Sequence, residues 1–455
     1  MLTSLEIKNF KSWKSTEKIR TAPITGFFGA NSSGKTSLIQ LLLLLKQTVE
    51  SSDRLQPLNL GDEKSPVELG TFKDIVHKHS IQEALQWEIA WKPSQPIEPA
   101  DPAKKETPLF SITELGFRAK VSQRVHQEKS GRVEVNSMSY FFNNHEFGMH
   151  PKKEKEGEYD LYNPNSFPFL RTQGRPWPLP PPSKCYGFPD QVRAYFQNAE
   201  FLSHLELEFE KLFRNIYYLG PLREYPQRQY SWGGMKPTDM GRRGEKVVDA
   251  LLASREYGRK ISLGKGKKQK TVEEYVAFWL KELGLIHSFK VKPIADDSKL
   301  YRVLVKKTPD SAEVLITDVG FGVSQILPVL VLCFYVPEGS TVILEQPEIH
   351  LHPSVQAGLA DVFIDAIEKR RIQIILESHS EHLLRRLQRR IAEQQLPNDS
   401  AALYFCRMDN GESKLSHLDV DMFGTINNWP KDFFGDEFGE MAAITEARMK
   451  RQKVS

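Results

Sequence analysis

Residues 29–36 read GANSSGKT, and this octapeptide restricts the chain around it to a strand–loop–helix unit. In Gly29-x4-Gly34-Lys35-Thr36 the glycines permit a tight turn whose amides converge on phosphate oxygens. Lys35 would neutralise terminal phosphate charge and Thr36 would ligate Mg2+. Asn31, Ser32, Ser33 and Ser37 complete the expected phosphate-contacting set. The flanks agree: ITGFF (24–28) is a short apolar strand, and SLIQLLLLLKQ (37–47) is a helix whose positive N-terminal end faces the phosphates.

A second half-site lies three hundred residues later. TVILE (341–345) is an apolar strand ending in a carboxylate, which aims Glu345 at the Mg2+ held by Thr36. Gln346 follows it, and Glu348 is a second nearby acid. His350 and His352, bracketed by Pro347 and Pro353, read either as a surface turn or as part of a metal site for which no third ligand is evident. RIQIILES (371–378) is another strand, ending at His379 with a helix from Glu381. A histidine at the carboxyl end of a parallel strand sits where open α/β sheets bind ligands, so His379 reads as a γ-phosphate sensor. In DVGFGVSQILPVLVLCF (318–334), Gly322, Ser324 and Gln325 open an apolar helix. That start is either a plain helix N-terminus or a second phosphate-binding terminus. On the second reading Ser324 completes the site of another copy, giving a head-to-tail dimer with ATP between the subunits.

At 455 residues the chain exceeds a single core, and two lobes are expected. With 62 basic and 58 acidic residues the net charge of +4 is too balanced to indicate nucleic-acid binding by itself. The runs GKGKKQK (264–270), PKKEK (151–155) and RRLQRR (385–390) read as solvated faces or as phosphate-backbone contacts, so nucleic acid stays open as a secondary partner. Cys185, Cys333 and Cys406 are far apart and have no metal-binding spacing, which fits a reducing cytosol. No charged-then-apolar leader opens the sequence, and LLLLL (41–45) and ILPVLVLCFYV (326–336) are too short to span a bilayer. The expectation is a cytoplasmic protein with no membrane contact.

Four segments are expected. Residues 1–220 form the first lobe, with SLEIKNF (4–10) as its opening strand. Strands at LQWEIAW, LFSITELGFRAKV and RVEVNSMSYFF make an antiparallel layer. A stiff proline-rich connector, RPWPLPPPSK (175–184), lies in an insertion at about 150–190. Residues 190–213 have helical spacing and NIYYL reads as a strand. Residues 221–310 are a connecting insertion with mobile basic loops over 226–270. It contains the helix TVEEYVAFWLKELG, capped by Thr271 and stopped by Gly284, and strands at FKVKPI and YRVLVKK. Residues 311–425 form the second lobe and 426–455 a tail. No sustained heptad pattern appears between the phosphate loop and residue 320, so long coiled-coil arms are not expected.

With these elements in order, the chain resembles the ABC-type, AAA-like ATPase heads of the RecF, SMC and OLD group. More narrowly, LEIKNFKSW, GANSSGKTSLIQ, LGTFKDIV, YYLGPLREYP, VGFGVSQILPVL, LEQPEIHLHP, ESHSEHLLRRLQRR and NNWPKDFF look like a stand-alone bacterial family found beside defence or mobile-element genes. ATPase subunits of Septu-, retron- or PARIS-like antiphage systems are similar. The resemblance implies an α/β head: a P-loop mixed or parallel sheet flanked by helices, plus an antiparallel β layer. ATP and Mg2+ are the implied cofactors, with Lys35 and Thr36 as contacts, Glu345 as the Walker B carboxylate, Ser324 as the signature serine acting in trans and His379 as the switch histidine.

Such heads usually follow the Walker B acid with a catalytic Glu. Here Gln346 stands in that place and cannot accept a proton from water. Turnover is therefore expected to be slow, or the base role passes to Glu348. Gln47 and Gln325 are candidates for a lid glutamine. Only 76 residues follow His379, too few for the Toprim nuclease of OLD-type relatives, and Asp419 and Asp421 are the only paired acids there. The implied function is a homo-oligomeric ATP switch that regulates a separate effector, such as a nuclease, in antiphage defence. The alternatives are a DNA-repair or recombination ATPase and an ATP-dependent scaffold without meaningful turnover.

Overall fold

The phosphate-loop strand, Ile24–Gly29, is buried at every position, which a strand achieves only when both faces of its sheet are covered. In the computed structural model it lies inside a six-stranded sheet ordered Ile216–Leu219, Thr341–Glu345, Gln373–Ser378, Ile24–Gly29, Ala401–Asp409 and Glu412–His417. The first five strands are parallel and the last pairs antiparallel. The structure describes all residues except 101–107, 127–128, 154, 175–176, 258–259, 263–268, 431–432, 434–436 and 453–455.

Alternation along the strands divides the interior into two cores. Phe27, Ile343, Ile375 and Tyr404 face one, while Phe28, Leu344, Ile374, Leu376 and Phe405 face the other. The first core holds the helix Lys35–Glu50. Its leucines are buried all round because the parallel sheet lies on one side and a second, antiparallel sheet on the other. That explains an apolar run too short for a membrane: it is a helix enclosed by protein.

The second sheet has eight strands, ordered Trp13–Ser15, Leu2–Phe10, Leu85–Trp91, Leu115–His126, Lys129–Phe142, His145–Pro151 and Tyr159–Tyr162, with Ile19–Arg20 paired to Leu2–Phe10. Phe209 of the helix Phe201–Arg214 packs against Trp91, Phe117 and Tyr140 and seals this layer. The opposite core is covered by the helices Val247–Glu256, Val272–Glu282, Phe321–Tyr335, Pro353–Arg370 and Glu381–Ala392. A four-stranded sheet of Tyr230–Ser231, Leu300–Lys306, Ser288–Pro293 and Val314–Leu315 flanks them. Thr271 caps its helix through a reciprocal box with Glu274, and Gly284 takes the left-handed conformation that ends it.

Local expectations fail where backbone pairing overrides periodicity. The helix expected over 190–213 is two helices, Asp190–Tyr195 and Phe201–Arg214. Between them Phe196 bridges Arg171, and the Gln197 amide donates to the Leu170 carbonyl. The apolar spacing persists because Val192, Phe201 and Phe209 all enter the same core. The loops expected over 226–270 contain the helix Val247–Glu256, whose VVDALLAS stretch is almost wholly buried. Most of GKGKKQK lies outside the described residues. The strand expected from Leu109 begins only at Leu115.

Of the proline-rich connector, 175–176 lie outside the described residues. The rest bridges Tyr159 through Leu179 and anchors through Lys184, whose ammonium donates to the Val49 and Ser51 carbonyls. Near the C-terminus Phe433 packs against Phe28, Phe405 and Trp429, so this aromatic of NNWPKDFF docks on the chain's own core. Cys185, Cys333 and Cys406 are free and buried. Among the described residues no helix is long and apolar enough to cross a membrane.

Leu44 is fully enclosed between the two sheets. Leu44→Ala should therefore cost about 2–5 kcal/mol of stability, read as a lower denaturant midpoint at unchanged slope.

Candidate functional site

The carboxyl ends of the parallel strands converge on one edge. Leu219 is in register with Leu344, Glu345 with Glu377, and Ser378 with Phe28. Residues that follow those positions must share a crevice, and the phosphate loop opens there. Gly29 has φ +140°, and a Cβ on it would lie 2.1 Å from the Cys406 carbonyl oxygen. Gly34 has φ +93°, and a Cβ there would lie 2.3 Å from the Ser413 hydroxyl. Both positions therefore require glycine. The loop is clamped from two sides: the Trp13 indole donates to the Gly34 carbonyl (2.9 Å), and the Ser413 amide donates to the Ser12 carbonyl (2.8 Å). Asn31 and Ser32 are exposed, whereas the Ser33 hydroxyl is buried without a hydrogen-bond partner.

Lys35 donates to the carbonyls of Ala30 (2.7 Å) and Gly29 (3.1 Å) and lies 3.9 Å from Glu377. The Thr36 hydroxyl donates to Glu377 at 2.7 Å. Glu345 accepts from the Tyr218 hydroxyl at 3.0 Å. Glu348 accepts from the His379 amide at 2.7 Å, and its other oxygen is buried without a partner. Gln346 has a left-handed φ of +43°, and its backbone amide donates to the Glu377 backbone carbonyl. Thus Glu377, not singled out from sequence, is the hub joining Lys35, Thr36 and Gln346. The available signal was that TVILE and QIILE are both apolar strands ending in Glu.

Burial pushes all three carboxyls upward. Glu345 rises to about 7, through desolvation first and the neighbouring Glu377 charge second. Glu348 and Glu377 shift the same way, again chiefly by desolvation. Desolvation and then Lys35 lower the His379 imidazole, which favours its neutral form, while the Gly29 backbone opposes that shift. The three acids, a buried lysine and an unsatisfied Ser33 hydroxyl suit a nucleotide phosphate with its divalent cation. Thr36, Glu345 and Glu377 are the groups that could reach the cation, and Lys35 and the loop amides the phosphates.

The signature-like segment packs on the turn that follows Glu348, through Phe321 and His350. Ser324 is buried and donates to the Phe321 carbonyl (2.8 Å), and Gln325 is buried beside it. Pro328 inside the helix removes the amide that would pair with the Ser324 carbonyl. Gly322 is half-buried, and a Cβ on it would meet nothing closer than 3.8 Å. Tyr225 and Phe321 form an exposed aromatic pair here, with His350 also against the Phe321 ring, and Leu222 in the same turn as Tyr225 is exposed.

Other candidates have local tasks. His352 caps the helix Pro353–Arg370 through Ser354, and no group of three metal-ligating side chains occurs among the described residues. Asp421 accepts from the Phe423 and Thr425 amides, and Asp419 accepts from the Asn427 side chain. Gln47 is locked between the Asn59 carbonyl and the Val67 amide. In RRLQRR, Arg386 and Arg390 pair with Asp361, and Arg385 and Arg389 with Glu381 and Glu393.

A carboxyl raised by folding binds its proton more tightly in the native state, so native protein holds more protons than unfolded chain between about pH 4.5 and 7. Stability in the nucleotide-free protein should therefore fall as pH rises through that window. Glu345→Gln should flatten the slope, and parallel melting curves for the two proteins would contradict it.

Three family models match the chain: "AAA ATPase domain" over residues 1–155, "AAA domain, putative AbiEii toxin, Type IV TA system" over 198–385, and "Protein of unknown function (DUF3696)" over 396–444. No curated protein matches it. Among solved structures, an SMC head bound to the C-winged helix domain of ScpA is 12% identical, covering 92% of this chain and 98% of its own, with a TM-score of 0.45. The SMC head domain from Thermotoga maritima is 11% identical, covering 92% and 99%, with a TM-score of 0.41. An SMC head with an extended coiled coil bound to the C-terminal domain of ScpA, derived from Pyrococcus furiosus, is 11% identical, covering 98% and 99%, with a TM-score of 0.40. The phosphate loop thus lies within a segment that matches an AAA ATPase domain, and the carboxylate edge within a segment that matches a second AAA domain, which supports nucleotide binding at this site.

Proposed function

We propose that this ATPase is a slow switch: it binds Mg2+·ATP at the strand edge, pairs head to tail, and controls a separate effector such as a nuclease in bacterial antiphage defence. Residues 1–220 and 311–425 act as the two lobes, with 221–310 between them and 426–455 as the tail. The observation that carries the slow-switch reading is Gln346, which follows the Walker B acid beside a Glu377 already hydrogen-bonded to Thr36. The residue after the Walker B acid is an amide, which cannot take a proton from water.

Bound Mg2+ would supply the positive charge that stabilises the phosphate oxygens during transfer. Lys35 and the loop amides would orient the phosphates, and Thr36, now bonded to Glu377, would hold the cation with Glu345 of the adjacent strand. Glu377, freed from Thr36, becomes the base that orders water, with neutral His379 beside it as the terminal-phosphate sensor. This assignment replaces Glu348, which the His379 amide already holds. The exposed residues Leu222, Tyr225 and Phe321 at the signature helix support a face that a second copy covers. The defence role rests on the sequence resemblance and on the Type IV TA system named by the central family model.

Light scattering with ATP·Mg2+, with ADP and without nucleotide, combined with phosphate release, tests the switch. Ser324 is buried, so Gly322→Arg is the cleaner block to pairing. ATP should enlarge the wild type and not Gly322→Arg, and Glu377→Gln should cut the phosphate signal by about 100-fold or more. A size indifferent to nucleotide and mutation would sink the gated dimer. Unaltered turnover in Glu377→Gln would remove the assigned base.

A further inference from the structure

Arg223 follows the strand Ile216–Leu219 in the turn GPLREYP. Its neighbours Leu222 and Tyr225 are exposed, yet Arg223 is only 5% exposed and points inward. All three of its guanidinium nitrogens are shielded from solvent and without a hydrogen-bond partner. Removing a guanidinium from water without replacing its hydrogen bonds is costly, and an arginine kept for stability is normally forked onto a carboxylate. Two carboxylates are near enough to be felt, Glu345 and Glu348, but neither forms an ion pair with it. Glu348 also feels Lys35, so its carboxylate lies within electrostatic range of both buried cations. The Glu348 oxygen without a partner belongs to the same edge.

Two cations flanking a carboxylate cluster make a place for an anion that brings its own divalent cation. The turn is held from outside: the Gly220 amide donates to the Arg242 carbonyl, and the Glu224 amide to the Arg243 carbonyl. Arg223 is therefore delivered by a fixed backbone rather than by a loop that must first order. Lys35 already serves the phosphate-loop end of the crevice. A cation arriving from the far side of Glu345 and Glu348 meets the part of the ligand furthest from the loop.

We propose that Arg223 binds the terminal phosphoryl group of the nucleoside triphosphate held in its own subunit, so that this side chain distinguishes triphosphate from diphosphate. The inference rests on the nucleotide-site reading above. Bidentate donation to two phosphoryl oxygens would satisfy a guanidinium that has no protein partner. A diphosphate leaves it as it stands.

The test compares the full-length wild type with Arg223→Met and Arg223→Lys, measuring equilibrium binding of a non-hydrolysable ATP analogue, ADP and inorganic phosphate, each with Mg2+, alongside melting temperatures. Arg223→Met should lose about 10- to 100-fold in affinity for the triphosphate and less than about threefold for ADP. Its nucleotide-free melting temperature should be no lower than that of the wild type, because the side chain lost had no partner. Arg223→Lys should fall between the two and serves as the comparison should the methionine variant not fold. Equal losses for ATP and ADP, or no loss for either, would overturn the assignment of Arg223 and leave the nucleotide site standing. Phosphate affinity that falls with ATP affinity supports a phosphoryl subsite, whereas phosphate binding alone, with no ATP preference, overturns the triphosphate role. If the wild type binds neither nucleotide, the site reading and this inference fail together.

Discussion

The functional half of this molecule depends on one electrostatic arrangement: three carboxyl groups buried at the end of a parallel sheet, with a buried lysine among them. Glu345, Glu348 and Glu377 cannot all be charged cheaply in a low-dielectric crevice, and burial raises each of them. The protein meets this with hydrogen bonds from Thr36, Tyr218 and the His379 amide. Of those donors, Thr36 is also the group that a bound cation would recruit. The free site is thus held together in part by an interaction that ligand binding must exchange.

The sheet makes this arrangement unavoidable. Parallel register places Glu345 opposite Glu377 and the phosphate loop one strand further on, so segments more than three hundred residues apart in the chain end on one edge. The two cores on either face of the sheet hold that edge rigid. The long apolar helix after the loop is locked between two sheets, and the loop itself is clamped by Trp13 and the Ser12–Ser413 contact. Local opening of the antiparallel layer would therefore be felt at the phosphate loop through Trp13.

Substituting Gln for the usual second acid has a structural logic beyond the missing base. An amide at 346 adds no charge, whereas a carboxylate there would add a fourth acid to the cluster. The left-handed backbone of Gln346 is held by its own amide bond to the Glu377 carbonyl, so the residue is strained and pinned at once.

Short-range patterns were legible without coordinates. The phosphate loop needs Gly29, Gly34, Lys35 and Thr36 in fixed spacing, and the strands ending at Glu345 and before His379 announce themselves by apolar runs capped with acids. The capping box at Thr271 is equally local. What the sequence could not supply was which acid meets which cation. The role of Glu377 follows from strand order, because Gln373–Ser378 lies between the Glu345 strand and the phosphate-loop strand. Arg223 looks like any turn arginine until packing buries it, and the break at Phe196 follows from a pairing with Arg171 that lies outside the helical period. Sequence determines what each segment prefers by itself; tertiary structure decides which buried charges become neighbours, since desolvation and Coulomb energies depend on distances that only packing sets.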